Sequence, residues 1–143
     1  MKLGRQLTQQ AIEGQLEEAG VSPMPQRVEI ARIMLSQPQH MSAEDVLVAL
    51  RKAGAAASKA TVYNTLRLFA QCGLLRTVIV DPTKVFYDSN TTHHHHFYDV
   101  EAGTLTDFRA EEVQLTRLPD LPEGAAMDGV DITVRVRRTR PEK

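Results

Sequence analysis

Four histidines stand in one unbroken run, His93–His96, well inside the chain, with Asp88 before them and Asp107 after them. Neutral imidazole is the commonest metal ligand among side chains. A purification tag would stand at a terminus, and a polar loop with chance histidines is the plain alternative. In an extended strand alternate side chains share a face, so the run divides into His94 with His96 and His93 with His95. Residues 93–100 and 104–108 read as antiparallel strands around Glu101-Ala102-Gly103-Thr104. A tight turn centred on Ala102-Gly103 pairs Asp107 with Tyr98, which shares the face of His94 and His96. Asp107 therefore joins those two imidazoles. Asp88 precedes His94 by six residues, close enough to fold back.

The chain has 143 residues, 42% hydrophobic, which fits one compact domain or two small ones. The lone Cys72 excludes an internal disulfide and any zinc site with two or more thiolates. No apolar run has the length of a membrane span, and Met1-Lys2-Leu3-Gly4-Arg5 lacks the apolar core of a signal peptide. The expected location is the cytoplasm, with no membrane partner. Net charge is −1. Residues 1–92 carry ten Lys/Arg against eight Asp/Glu, and residues 93–143 carry seven against ten. A nucleic-acid surface must then be a local patch on the first half.

Helical periodicity predicts a first helix over 5–19, with Leu7, Ala11, Ile12, Leu16 and Ala19 recurring and Gly20 as its stop. Pro23 and Pro25 keep the next residues extended. A second helix covers about 25–36, with Val28, Ala31, Ile33, Met34 and Leu35 as its apolar face, and Pro38 follows it. His40 then falls in a loop before a helix over 43–53, whose Ser42 and Asp45 resemble a capping box. That helix turns Val46, Leu47, Ala49 and Leu50 inward. From Ser58 a further helix begins, with Val62, Leu66 and Phe69 on one face. Lys59, Thr61, Tyr63 and Asn64 give its N-terminal half the short polar groups and phenol that a recognition helix needs. An ordinary amphipathic helix is the plain alternative. Two strand-like runs follow, Leu74–Val80 and Lys84–Tyr87, around Asp81-Pro82-Thr83. Helices followed by a two-stranded hairpin make a winged helix-turn-helix. The later stretch Asp128–Arg138 alternates at Val130, Ile132, Val134 and Val136, as a strand with one buried face. Residues 111–118 read as a short helix. So small a sheet buries little surface alone, and dimerisation through this half is expected.

Pro25-Gln26-Arg27, His40-Met41-Ser42-Ala43-Glu44-Asp45, Ala60-Thr61-Val62-Tyr63-Asn64-Thr65-Leu66 and the histidine run stand in one order and spacing. Together they resemble the ferric uptake regulator (Fur) superfamily of metal-responsive repressors, from about residue 21 onward. Asn64 stands where most members have Arg. Asp99 and Ala102 occupy the positions of a Cys-x-x-Cys pair that holds structural zinc in the family, and the second Cys pair is missing. No structural zinc held by four cysteines is expected. These departures, with the Asn90-Thr91-Thr92-His93 lead-in and the Arg-rich last strand, resemble the iron response regulator (Irr) branch of alphaproteobacteria, which senses iron through haem and metal ions.

The resemblance implies an α+β fold: a winged-helix DNA-binding domain over 1–88, a hinge at 89–92, and a small α/β dimerisation and sensing domain over 93–143. It implies a homodimer or higher assembly on double-stranded DNA with a palindromic operator, controlling iron-homeostasis genes, mostly as a repressor. Tyr63 would contact bases, with Lys59, Thr61 and Asn64 nearby, and Arg27 and Lys84 would grip phosphates. The implied regulatory metal set is His40, Asp88, His94, His96 and Asp107. Three imidazoles and two carboxylates suit Fe2+ or Mn2+ and also Zn2+. His93 and His95 face away. The family's second site needs a Glu that falls here on Gln114 and a later His that is missing, so haem, a second metal ion, or idle hinge residues remain open for this pair. A peroxide- or manganese-sensing repressor is the neighbouring reading. The rival class is a small non-haem iron enzyme, since two His and a carboxylate on one face also match that ligand set. The expectation is that the protein is not an enzyme.

Overall fold

The computed structural model describes residues 8–139. The chain divides into two compact units, one running to Thr91 and one beginning at Thr92.

The first unit holds α1 (Gln9–Glu18), α2 (Pro25–Leu35), β1 (His40–Ser42), α3 (Ala43–Lys52), α4 (Lys59–Gln71), β2 (Arg76–Asp81) and β3 (Lys84–Asp88). Each helix has a local reason to start. The Thr8 hydroxyl accepts the Ala11 N–H at 3.1 Å, Pro25 opens α2, and Ser58 accepts the Thr61 N–H at 3.1 Å. Before α3 the capping box is complete: Asp45 N–H donates to Ser42 Oγ, and Ser42 N–H donates to Asp45 Oδ2. Residues 5–7 of the expected first helix lie outside the described residues. Ala11 faces solvent, leaving Ile12 and Leu16 to carry the buried side of α1.

The core gathers Ile12, Leu16, Val28, Ile30, Met34, Val46, Leu50, Val62, Leu66 and Phe69, each at most 3% exposed. On α2, Ile30 is buried, while Ile33 and Leu35 only pack against the core's margin. The expected loop at His40 is instead β1. Its three residues pair antiparallel with β3, in the order β1-β3-β2. Three residues are too few to show an alternation in sequence, and the strand exists because β3 offers a free edge. The wing turn is tied by Asp81, whose Oδ1 accepts from the Thr83 N–H (2.8 Å) and hydroxyl (2.7 Å).

The second unit is a three-stranded sheet in the order β5-β4-β6, with β4 (His94–Asp99) in the middle. β5 (Thr104–Arg109) runs antiparallel to it and β6 (Thr133–Val136) parallel. The hairpin turn differs from the expectation. Asp99 pairs with Thr104, so four residues bridge the strands and Tyr98 faces Leu105. The cause is Asp99: its Oδ1 accepts the Glu101 and Ala102 N–H groups at 3.0 and 2.9 Å, and Gly103, at φ +72°, returns its N–H to the Asp99 carbonyl. The two-residue shift keeps parity, and Asp107 now faces His96 directly.

The helix expected over 111–118 reduces to one 3-10 turn, Ala110–Glu112. Val113 is already extended, at φ −117° and ψ 132°. A segment this short needs an apolar face to pack on something, and Leu115 and Leu118 are 50% and 47% exposed. On β6 the expected one-sided burial is incomplete, with Val134 39% exposed.

Asp99 also receives Arg138 Nε on Oδ2 at 2.8 Å, clasping the residues after β6 to the hairpin turn. Backbone donors first, and then Arg138, hold its carboxyl below the ordinary 3.8. A carboxylate whose folded pKa is depressed stabilises the fold above its ordinary pKa, and that stabilisation is lost as pH falls through the folded value. Asp99→Asn is therefore expected to lower the urea midpoint at neutral pH. Its gap from wild type should shrink once the medium is more acid than 3.8. A gap that does not change with pH would show that the Asp99 charge is irrelevant.

Candidate metal centre and nucleic-acid interface

Each unit carries its own converging donors. In the first, the register of β1 and β3 sets His40 opposite Asp88, and Arg76 of β2 lies on the other side of Asp88. Asp88 ends the central strand and is 1% exposed. Its Oδ1 accepts the Asn90 N–H at 2.9 Å.

In the second unit, Asp107 Oδ1 lies 3.3 Å from His96 Nε2 and 3.6 Å from His94 Nε2. Both rings sit on one face of β4, 4.6 Å apart between centroids. His94 Nδ1 lies 2.6 Å from the Thr92 carbonyl, a contact that requires a proton on that nitrogen. If the ring is neutral, Nε2 aims a lone pair at a carboxylate oxygen. A cation bound between them would satisfy both groups at once. A backbone carbonyl fixing the tautomer of an imidazole is also the usual support for a histidine ligand. These nitrogen and oxygen donors fit a divalent ion such as Mn2+, Fe2+ or Zn2+.

The other face of the run is built differently. His95 Nδ1 accepts the Ile132 N–H at 3.2 Å, which ties the approach to β6 against β4 and, in the neutral ring, puts the proton on Nε2. His93 precedes the strand, exposed, with its ring 5.0 Å from that of His95 and its Nε2 3.4 Å from the Val130 carbonyl. The sequence held no sign of the bond to Ile132, because it joins residues 37 apart.

On the winged helix, Arg27, Thr61 and Asn64 line one groove at the start of α2 and the first half of α4. Arg27 also donates to the Ser22 carbonyl at 3.1 Å. Lys59 and Tyr63 stand together, the ammonium 5.9 Å from the ring centre. Lys84 is placed apart, at the start of β3, with its ammonium 5.3 Å from the Phe86 ring. Glu44, to which sequence reasoning gave no role, accepts the Tyr63 hydroxyl.

A winged helix and, further along the chain, a sheet bearing histidine and carboxylate donors define a class: DNA-binding regulators that respond to a bound metal. Residues 18–133 match the ferric uptake regulator family. Over 110 residues the chain is 34% identical to the ferric uptake regulation protein of Synechococcus elongatus, covering 74% of this chain and 75% of that one. Over 107 residues it is 33% identical to the peroxide-responsive repressor PerR of Staphylococcus aureus, covering 70% and 72%. The solved ferric uptake regulator of Pseudomonas aeruginosa with manganese superposes at a TM-score of 0.68 and 27% identity, over 90% of this chain and 98% of that one. The chain belongs to the ferric uptake regulator family, whose members are DNA-binding, metal-responsive transcriptional regulators and not enzymes. Among the described residues, no helix is long and apolar enough to cross a membrane.

Proposed function

We propose that this protein is a cytoplasmic, iron-responsive repressor of the Irr branch, without structural zinc, that binds a palindromic operator as a homodimer or a higher assembly. Residues 1–88 form the DNA-binding domain, 89–92 the hinge, and 93–143 the dimerisation and sensing domain. The regulatory ion, Fe2+ or Mn2+ with Zn2+ as a competitor, is held by His40 and Asp88 from the first domain and by His94, His96 and Asp107 from the second. The observation that carries this reading is the shared Asp107 oxygen, 3.3 and 3.6 Å from two imidazole nitrogens. An ion with ligands in both domains prefers the one domain arrangement that satisfies all of them, so its binding energy becomes a bias on DNA affinity. When bound, the ion supplies only charge and fixed coordination geometry.

Lys59, Thr61, Tyr63 and Asn64 contact base edges from α4, while Arg27 and Lys84 contact phosphates. Haem binding involves His93 and His95. Of the two, the exposed His93 is the more accessible ligand, with the buried His95 ring 5.0 Å from it. A peroxide- or manganese-sensing repressor is a second reading, favoured by the likeness to PerR and by a carboxylate ligand being Asp107.

The deciding measurement is affinity for an inverted-repeat duplex, selected by the protein itself, with Mn2+, Fe2+, haem and no ligand side by side. Metal is expected to change affinity by at least about fivefold, the lower end of typical coupling. Affinity should also fall steeply with salt. Equal affinity in all four conditions would sink the sensor reading.

A further inference from the structure

Tyr63 is half-buried on α4, and its hydroxyl donates to the Glu44 carboxylate on the first turn of α3. The contact joins two helices across 19 residues of sequence, and Lys59 stands by the same ring. A phenol has one proton, and an ionised carboxylate can only accept. With its proton committed to Glu44, the Tyr63 oxygen keeps only lone pairs for any other partner. In the major groove, adenine and cytosine present amine donors, whereas guanine and thymine present acceptors. An oxygen that can only accept distinguishes these two groups.

We propose that Glu44 is a specificity-determining positioning residue. It fixes the orientation and the proton of Tyr63, so that α4 presents an obligate acceptor selecting adenine or cytosine at one position of each operator half-site. The inference rests on α4 being the recognition helix. The same hydrogen bond leads the causes that hold the Glu44 carboxyl below its ordinary range and push the Tyr63 phenol above 10.0, which agrees with the proton residing on the tyrosine. Glu44 has a second effect. Its charge beside the phenol opposes phosphate approach when no base contact compensates, which disfavours non-specific duplex.

The test uses the full chain with Mn2+ and a duplex library with a randomised centre. Wild type is expected to enrich adenine or cytosine at one position in each half-site. Glu44→Ala frees the phenol proton to turn outward, and the preference should fall about tenfold. Glu44→Gln, still an acceptor but uncharged, should fall between the two. Tyr63→Phe should lose the same preference, and the double variant Glu44→Ala/Tyr63→Phe should lose no more than Tyr63→Phe alone. Spectrophotometric titration supplies a readout that a purely structural role would not move: one tyrosine should ionise at lower pH in Glu44→Ala, and that change should vanish in the double variant. Glu44→Ala enriching the same bases as strongly as wild type, or leaving the tyrosine titration untouched, would overturn the proposal. A wild type that enriches no sequence would remove the recognition-helix reading and this inference with it.

Discussion

Asp107→Ala is expected to weaken Mn2+ binding by at least about a hundredfold while leaving the fold intact. The magnitude follows from position. Loss of a group that merely orients a ligand costs about ten- to a hundredfold, and Asp107 is itself the oxygen on which two imidazoles converge, at 3.3 and 3.6 Å. The fold should survive because the Asp107 side chain is 44% exposed and fills no core space. Calorimetric titration with Mn2+, read beside circular dichroism, checks both halves of the statement. Thr106→Ala, one residue away on the opposite face of β5, is the control and should bind as wild type does. An Asp107→Ala protein that holds Mn2+ with unchanged affinity would remove Asp107 from the ligand set.

Phe69→Ala should be the most damaging single change in the first unit. Phe69 is fully buried where α4 meets the other helices. Truncating a buried phenylalanine costs about 3–5 kcal/mol, out of the roughly 5–15 kcal/mol that holds an ordinary domain together. A loss of this size should lower the melting temperature by more than about 10 °C. Duplex binding should fall at temperatures where the variant has begun to unfold, while metal affinity measured in the cold changes little. A drop below about 1 kcal/mol would mean that the site collapses around the missing ring.

The helices of the first unit were legible because their signals are local. Ser42 and Asp45 announce the start of α3 three residues apart, and Val62, Leu66 and Phe69 trace one face of α4. The donor pairing of His94, His96 and Asp107 was legible for a different reason. Strand parity has period two, so the hairpin register could be wrong by two residues and still put Asp107 on the right face. What could not be read was non-local. β1 exists only through its pairing with β3, and the hydrogen bonds of Asp99 lengthen a turn that its residue types alone suggested was tight. The expected helix over 111–118 had apolar residues but nothing to pack them against. Glu44 was read as part of a motif, and its partnership with Tyr63 needs two helices in place.

The sheet order of the second unit has one further consequence. β4 is held on both sides, antiparallel to β5 through a short hairpin and parallel to β6 through a connection with no helix or strand from Val113 to Ile132. Lengthening such a connection raises closure entropy only slowly, by about 0.6 kcal/mol per doubling. Residues can be gained or lost there without sliding Asp107 against His96, because that register is set on the other side of the strand. Length differences among relatives should therefore gather in this stretch, while the span from His94 to Asp107 keeps a fixed count.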